Sequence, residues 1–425
     1  MSKRLSIVWD VGCVAAAVTM PEQRRPGWLE AGGGRGGHDM RRRNASRVVR
    51  ALVERGPMPR IDLADAVSLS TGAVTRITRE LGTIGVLREL DPVASTDAGR
   101  RRIPVDLDDQ NLLAIGVNIG FDDIIYGLVD LRGRLVGSAH REPQRSTDPA
   151  ATADQIVAVV DGLVASLPTG AQVVGTGVSV GGTVDHPSGL VTEPDVLGWV
   201  DVDVAVLLRG RVPGPVMVGS IFRALARAES WFAAARNRQH IVYVFLRHAV
   251  GAAFVFNGAV YDGARSLAGN IVHWPVSVDT GRTCTCGRSG CLMSVASLAA
   301  VVDRARDVGV DVSEPGEVRR MRDDERVAAI LADRNRAVGE VLGLMLDALA
   351  PELVVISAAV AEDVDFAAIR TAAQRHSTGS RDLASVIVPT DLGDPYQANV
   401  VGTATLVLNE FYDDPLGWPI EGSRG

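Results

Sequence analysis

The stretch that decides the fold runs Ala268-Gly269-Asn270-Ile271-Val272-His273 and resumes at Cys284-Thr285-Cys286-Gly287-Arg288-Ser289-Gly290-Cys291. Three thiolates and one imidazole, Cys284, Cys286, Cys291 and His273, make a full tetrahedral donor set for Zn2+. Gly287 and Gly290 stand where the backbone must wrap an ion. Four protein ligands leave no open position, so the zinc expected here is structural and not hydrolytic. The fourth cysteine, Cys13, lies far away, and the spacing is not that of a secreted disulfide framework.

Outward from this knuckle the chain alternates strands and helices. Leu112–Val117 and Ile124–Leu131 read as a hairpin around Asn118-Ile119-Gly120-Phe121-Asp122, and Leu135–His140 continues it. Pro149–Leu167 reads as a helix, Val173–Val180 as a buried strand ending at Gly181-Gly182, and Val216–Gly219 as a strand leading into a helix over Ile221–Ala235. A second hairpin, Ile241–Leu246 with Ala252–Phe256, precedes the knuckle. A long helix over 326–350, a strand at Leu353–Ile356 and a helix at Val400–Leu408 follow it. Repeated hairpins followed by helices imply an α/β body of two lobes.

The 425 residues are 46% hydrophobic, enough for two or three domains, and only 4% aromatic, so Ala, Val, Leu and Ile must fill the core. Lys3 is the single lysine. Net charge is −7, unevenly spread: residues 38–105 carry +5, and residues 106–425 carry −14. A basic module on an acidic body is the footprint of a nucleic-acid binder with a separate sensing or assembly domain. No run is apolar enough to span a membrane, and a cytoplasmic location is expected. Residues 1–39 begin with a loosely signal-like segment that Asp10 interrupts, then turn Gly/Arg/Pro-rich. They read as a disordered extension, or as a misassigned start with translation beginning at Met40.

The basic module occupies residues 40–107. Val48, Val49, Leu52 and Val53 mark a helix stopped by Gly56-Pro57, and a short second helix turns Ile61, Leu63, Ala64 and Val67 inward. Ser70 caps a third helix whose buried face is Ala73, Val74, Ile77 and Leu81. Val86–Leu90 and Arg102–Leu107 then form a hairpin. Three helices and a hairpin make a winged helix-turn-helix. Ser70, Thr71, Thr75, Arg76 and Arg79 lie on or beside the outer face of the third helix, where such modules meet the major groove. Arg76 can bond a guanine edge in bidentate fashion. Arg41, Arg42 and Arg43 are expected at phosphates, and Arg100, Arg101 and Arg102, at the wing, at a phosphate or a narrow minor groove.

The knuckle, the strand pattern and the winged helix together resemble the ROK family of repressors and sugar kinases, over nearly the whole chain from Met40. The resemblance implies an α/β fold: an N-terminal winged helix-turn-helix plus an actin-like, ribonuclease-H-like two-lobed domain over 110–413. The small lobe would take about 110–222 with 385–413 and the large lobe about 223–384, leaving 414–425 as a tail. It also implies a sugar-kinase site that this chain lacks. In the family's Glu-Asn-Asp-Ala-Asn run, aligned on Gly219-Ser220-Ile221-Phe222-Arg223, Ile221 takes the place of the catalytic aspartate. Isoleucine cannot accept a proton. The two phosphate loops, Asn118-Ile119-Gly120-Phe121-Asp122 and Arg247-His248-Ala249-Val250-Gly251, keep one glycine each, Gly120 and Gly251, and a later glycine pair is Ala358-Ala359. Two sugar-contacting glutamates are replaced by Asn270 and Met293.

The expected protein is therefore a catalytically inactive, ROK-like transcriptional regulator, a repressor by preference. It would bind a double-stranded DNA operator as a homodimer or homotetramer, with structural Zn2+ and no membrane partner. A sugar-like or other small effector is one reading of a cleft at Gly181, Asp185, Asn270 and His273; the other is an empty cleft that only supports dimerisation. The rival readings are an ATP-dependent sugar kinase with an appended domain, and a dimeric scaffold with a vestigial winged helix.

Overall fold

An apolar stripe of Val48, Val49, Leu52 and Val53 is fully or nearly fully buried along helix α1 (Gly37–Arg55), and Gly56, at φ +82°, ends it. The computed structural model describes residues 37–92, 102–120, 122–185, 188–192, 197–312, 315–358, 361–379 and 381–419. Residues 41–425 cluster as one unit; residues 1–40 are a separate unit, of which only the opening turn of α1 is described.

After α1 come β1 (Met58–Pro59), α2 (Arg60–Ala66), α3 (Thr71–Thr83), β2 (Leu87–Glu89) and β3 (Pro104–Leu107), with the strands ordered β1-β3-β2. This is a winged helix-turn-helix. The Ser70 hydroxyl accepts the Ala73 N–H at 3.2 Å and so caps α3, while Val74, Ile77 and Leu81 bury its inner face. Two inward expectations change. Ile61, at the open first turn of the seven-residue α2, is 50% exposed, and Thr78 rather than Ala73 completes the buried face of α3.

The body opens with β4 (Leu112–Ile119), β5 (Asp123–Asp130), β6 (Leu135–Pro143), α4 (Pro149–Ala165) and β7 (Gln172–Val180). A small sheet of β8 (Val184–Asp185), β9 (Leu190–Val191) and β10 (Val202–Asp203) follows, then α5 (Val204–Leu208), β11 (Val216–Ser220) and α6 (Ile221–Phe232). The second lobe adds β12 (Ile241–Leu246), β13 (Val250–Phe256), β14 (Ala259–Tyr261), α7 (Leu292–Ala296), α8 (Leu298–Asp307), α9 (Pro315–Arg320), α10 (Glu325–Leu349), β15 (Leu353–Ala358), α11 (Asp363–His376), α12 (Leu383–Val386) and β16 (Ile387–Pro389). The chain ends its described course in α13 (Pro395–Asp413) and a short turn.

One strand plan is used twice. The first sheet runs β6-β5-β4-β7-β11 and the second β14-β13-β12-β15-β16. In each, three antiparallel strands are joined to two parallel ones. This repeat is the ribonuclease-H-like, actin-like pair of lobes. Ile387–Pro389 pairs with β15, so the expected return to the small lobe at 385 is too early. The chain comes back with α13, which lies across the first sheet. Any side chain at Gly116 or Gly177 would collide with the α13 backbone at Val400 or Thr403. Among the described residues no helix is long and apolar enough to cross a membrane.

The winged helix does not hang free. Its buried residues are continuous with those of α6 and α13 in one apolar cluster. Arg50 stacks 4.6 Å over Trp231 and pairs with Asp413, and Arg42 pairs with Asp414. Arg132 donates to the Leu52 carbonyl at 3.2 Å, and Arg236 to those of Val53 at 3.0 Å and Glu54. Two cations thus sit at the negative end of α1, where its dipole favours them.

Candidate functional site

The knuckle follows from tight local turns. Cys284 N–H donates to the Arg288 carbonyl and Gly287 N–H to that of Cys284, both at 2.8 Å. Gly287 and Gly290 adopt φ of +81° and +71°, a region that favours glycine. Short bridges, Thr283 with Ser289 and Pro275 with Cys291, fold the segment back on itself. The donor atoms of His273, Cys284, Cys286 and Cys291 all lie within 4.8 Å of one another. Cys284 Sγ is 3.4 Å from His273 Nδ1, and Cys286 Sγ is 3.6 Å from Cys291 Sγ. Four such donors could hold a metal ion. Arg288, which the sequence reading passed over, holds the Cys286 thiol down to about 6, toward the thiolate that metals bind.

His273 also borders a cavity of about 230 Å³ between the lobes. Of the cleft residues expected from sequence, Asn270 and His273 line it, and Gly182 lines it in place of its neighbour Gly181. Asp185 does not; it turns into the β8–β9 hairpin and accepts the Ser188 hydroxyl at 2.6 Å. The first turn of α6 lines the cavity instead, through Ser220, Phe222 and Arg223. Ile221 is 6% exposed and packed in the core.

The glycines kept in the two loops are crowded by the chain's own side chains. A Cβ on Gly251 would stand 2.7 Å from the Phe222 ring, and one on Gly120 would stand 2.8 Å from the Asp123 carboxylate. Arg247, at the end of β12, is 7% exposed. It donates to Ser357 Oγ at 2.7 Å, the Pro395 carbonyl at 3.2 Å and Asn399 Oδ1 at 3.3 Å. Asn399 then bonds Asn118, Asn118 bonds Ser179, and Ser179 bonds Thr403. The chain of bonds links both sheets and α13, and burial lowers the Arg247 pKa. Sequence alone shows Arg247 only as a missing glycine.

On the winged helix, Thr71, Gly72, Arg76 and Arg79 are exposed on one side of α3, and Thr75 is half-buried, its hydroxyl bonded to the Thr71 carbonyl at 2.8 Å. Ser70 is engaged as the cap. Arg43 is exposed, but Arg41 pairs with Glu80 at 2.7 Å and Arg42 with Asp414, so the expected phosphate-contacting trio is split. Arg102 stands 3.6 Å from Asp62; Arg100 and Arg101 lie outside the described residues. A concavity between α3 and the wing brings Arg60 to Thr75 and Arg79, and Arg60 is tied to Glu89 at 2.6 Å. Arg60 was not foreseen, because its neighbours come from distant segments.

Residues 114–410 match the ROK family model. The chain is 27% identical over 336 residues to the DNA-binding transcriptional dual regulator NagC of Escherichia coli K12, covering 75% of this chain and 81% of NagC. Among solved structures it resembles a ROK family transcriptional regulator, a homologue of the E. coli MLC protein, at TM-score 0.75 and 20% identity, over 89% of this chain and 98% of that one. It also resembles the ROK hexokinase of Thermus thermophilus, at TM-score 0.59 and 24% identity, over 71% of this chain and 99% of that one. The regulator match spans more of this chain than the body alone supplies.

Proposed function

The chain belongs to the ROK family, and we propose that it is a sequence-specific DNA-binding transcriptional regulator whose kinase-like body performs no phosphoryl transfer. The observation that carries this reading is the pairing of an open α3 face with crowded phosphate-loop glycines and an isoleucine at position 221. Arg76 and Arg79 stand exposed on a helix whose opposite side is packed. Phe222, Asp123 and Arg247 crowd the glycines and the lobe junction that a nucleotide's phosphates would need. A carboxylate at Gly120 repels phosphate, and no base stands at position 221.

The regulator acts as a repressor and a homodimer. Each protomer lays α3 in one major groove of a two-fold operator, with half-sites spaced by about one helical turn or a multiple of it. Arg76 reads a guanine, and Thr71, Thr75 and Arg79 contact bases or phosphates beside it. Arg43 and the wing arginines Arg100 and Arg101 hold phosphates. Zinc fits His273, Cys284, Cys286 and Cys291; bound there, it would staple the loop that carries Asn270 and His273 to the cleft. The cleft is the effector site, and an effector acts by shifting the placement of the winged helices in the dimer.

The test is selection of fragments from sheared genomic DNA by the zinc-loaded full chain at near-physiological salt. An enriched inverted repeat upstream of a few genes is the expected result. Binding without sequence preference, lost as salt rises, would reduce the winged helix to non-specific contact.

A further inference from the structure

The concavity between α3 and the wing has a volume of about 480 Å³. Its charged lining is three guanidinia, Arg60, Arg79 and Arg88, against one carboxylate, Glu89. The three cations are held differently. Arg88 donates to Asp109 at 3.1 Å, and Asp109 also pairs with Arg134 of the body, so Arg88 is committed to a neighbour. Arg79 is exposed on α3, and its side chain has no partner among the described residues. Arg60 stands between these extremes. Its Nε donates to the Thr78 hydroxyl at 2.9 Å and its Nη2 to Glu89 Oε1 at 2.6 Å. Thr78 is buried in α3 and donates to the Thr75 carbonyl at 3.2 Å, so the point that anchors Arg60 is itself fixed. The Nη1 of Arg60 makes no hydrogen bond among the described residues. The Arg60 side chain is 24% exposed and that of Glu89 58%.

We propose that this concavity seats the sugar–phosphate backbone of one DNA strand, with Arg60 as the positioning residue that fixes how α3 sits in the groove. This deepens, and rests on, the DNA-binding reading above. Thr75 and Arg79 belong both to the outer side of α3 and to the wall of the concavity. A strand whose bases α3 meets therefore passes this opening. Three guanidinia against one carboxylate favour a polyanion. A guanidinium offers five N–H donors in a rigid, planar fork. Thr78 and Glu89 engage Nε and Nη2 and so hold the plane of the fork, which leaves Nη1 for a phosphate oxygen. An arginine held in this way has little side-chain freedom left to lose on binding, whereas an unpaired one such as Arg79 must be ordered. Contacts to phosphate set the register and orientation of a protein on the duplex, and a pre-held cation does so more sharply than a mobile one. Glu89 holds Arg60 and at the same time repels the strand, so the seat aligns the protein while adding little indiscriminate affinity.

The experiment measures the affinity of the zinc-loaded full chain for a duplex recovered by the fragment selection and for a scrambled duplex of equal length, across a range of salt concentrations. Arg60→Gln should weaken both duplexes and lower the slope of log affinity against log salt by about one. Arg60→Lys keeps the charge but cannot hold Thr78, Glu89 and a phosphate in one plane. It should keep the slope yet lose about tenfold on the recovered duplex. Glu89→Gln keeps an acceptor for Arg60 and removes a repelling charge at an exposed position, so it should tighten the scrambled duplex severalfold with the melting temperature unchanged. Arg60→Gln with the parent's slope, together with Glu89→Gln neutral on both duplexes, would overturn the seat and leave base reading by α3 standing. A parent that binds both duplexes alike, with the slope still lower by about one in Arg60→Gln, would overturn base reading by α3 and support the seat. Binding to neither duplex at any salt would overturn both.

Discussion

The four-donor knuckle and the phosphate-loop glycine Gly251 border the same cleft, with His273 a member of the knuckle and of the cavity wall, yet they are built in opposite ways. The knuckle presents four converging donors on glycine-built turns. The phosphate-loop glycines are crowded by Phe222 and Asp123, and Arg247 bridges the lobe junction beside them. Arg247, at the start of the second loop, ties the second sheet to α13.

Several substitutions would break or sharpen that contrast. The largest effect is expected at the knuckle. Cys284→Ser, or chelation of the metal, should release about one zinc per chain and destabilise the body by several kcal/mol, read by metal content and thermal melting. A knuckle variant that melts like the parent would erase the contrast. Next comes Arg247→Ala, which strands Ser357, Asn399 and the Pro395 carbonyl. It should cost about 3 kcal/mol in denaturant melts, through loss of charge-assisted bonds, and should confer no ADP release from ATP with glucose.

Glu229 gives a pH test of the same packed junction. It is fully buried on α6, accepts the Thr390 hydroxyl and the Ala234 amide, and sits near Tyr243 and Asp391. Burial pushes its pKa up to about 7 from 4.5. A folded pKa above the unfolded one gives stability that is complete below about 4.5 and is lost as pH rises through about 7. The protein should therefore lose up to about 3 kcal/mol relative to Glu229→Gln between pH 5 and 8, read as a converging or crossing pair of melting temperatures. Parallel curves would place no titration there. The smallest effect belongs to Ser70→Ala: loss of the α3 cap should cost about 1 kcal/mol and fray the N-terminal half of the recognition helix, seen as faster amide exchange at Ala73.

What was legible in the sequence was what is written locally. The four metal donors, the Ser70 cap, the stop at Gly56 and the strand hairpins each depend on neighbours a few residues away. What was not legible depends on distant partners. Arg42 reads as a phosphate contact until the chain returns at Asp414, and Asp185 reads as a cleft residue until Ser188 is seen to claim it. The boundary at 385 fails because Ile387–Pro389 is a three-residue strand, too short for periodicity to mark, fixed only by pairing with β15. Arg223 and Arg247 read as lost motif residues, and only their burial reveals the contacts they gain.

The central claim, that α3 reads sequence while the cleft transfers nothing, is tested most directly by the ratio of operator to non-specific DNA affinity in the parent and in Arg76→Ala, at one fixed salt concentration. The account expects Arg76→Ala to lower operator affinity by about 1–3 kcal/mol and to leave non-specific affinity nearly unchanged, so that the ratio collapses. Equal loss on both DNAs, or an unchanged ratio, would contradict it.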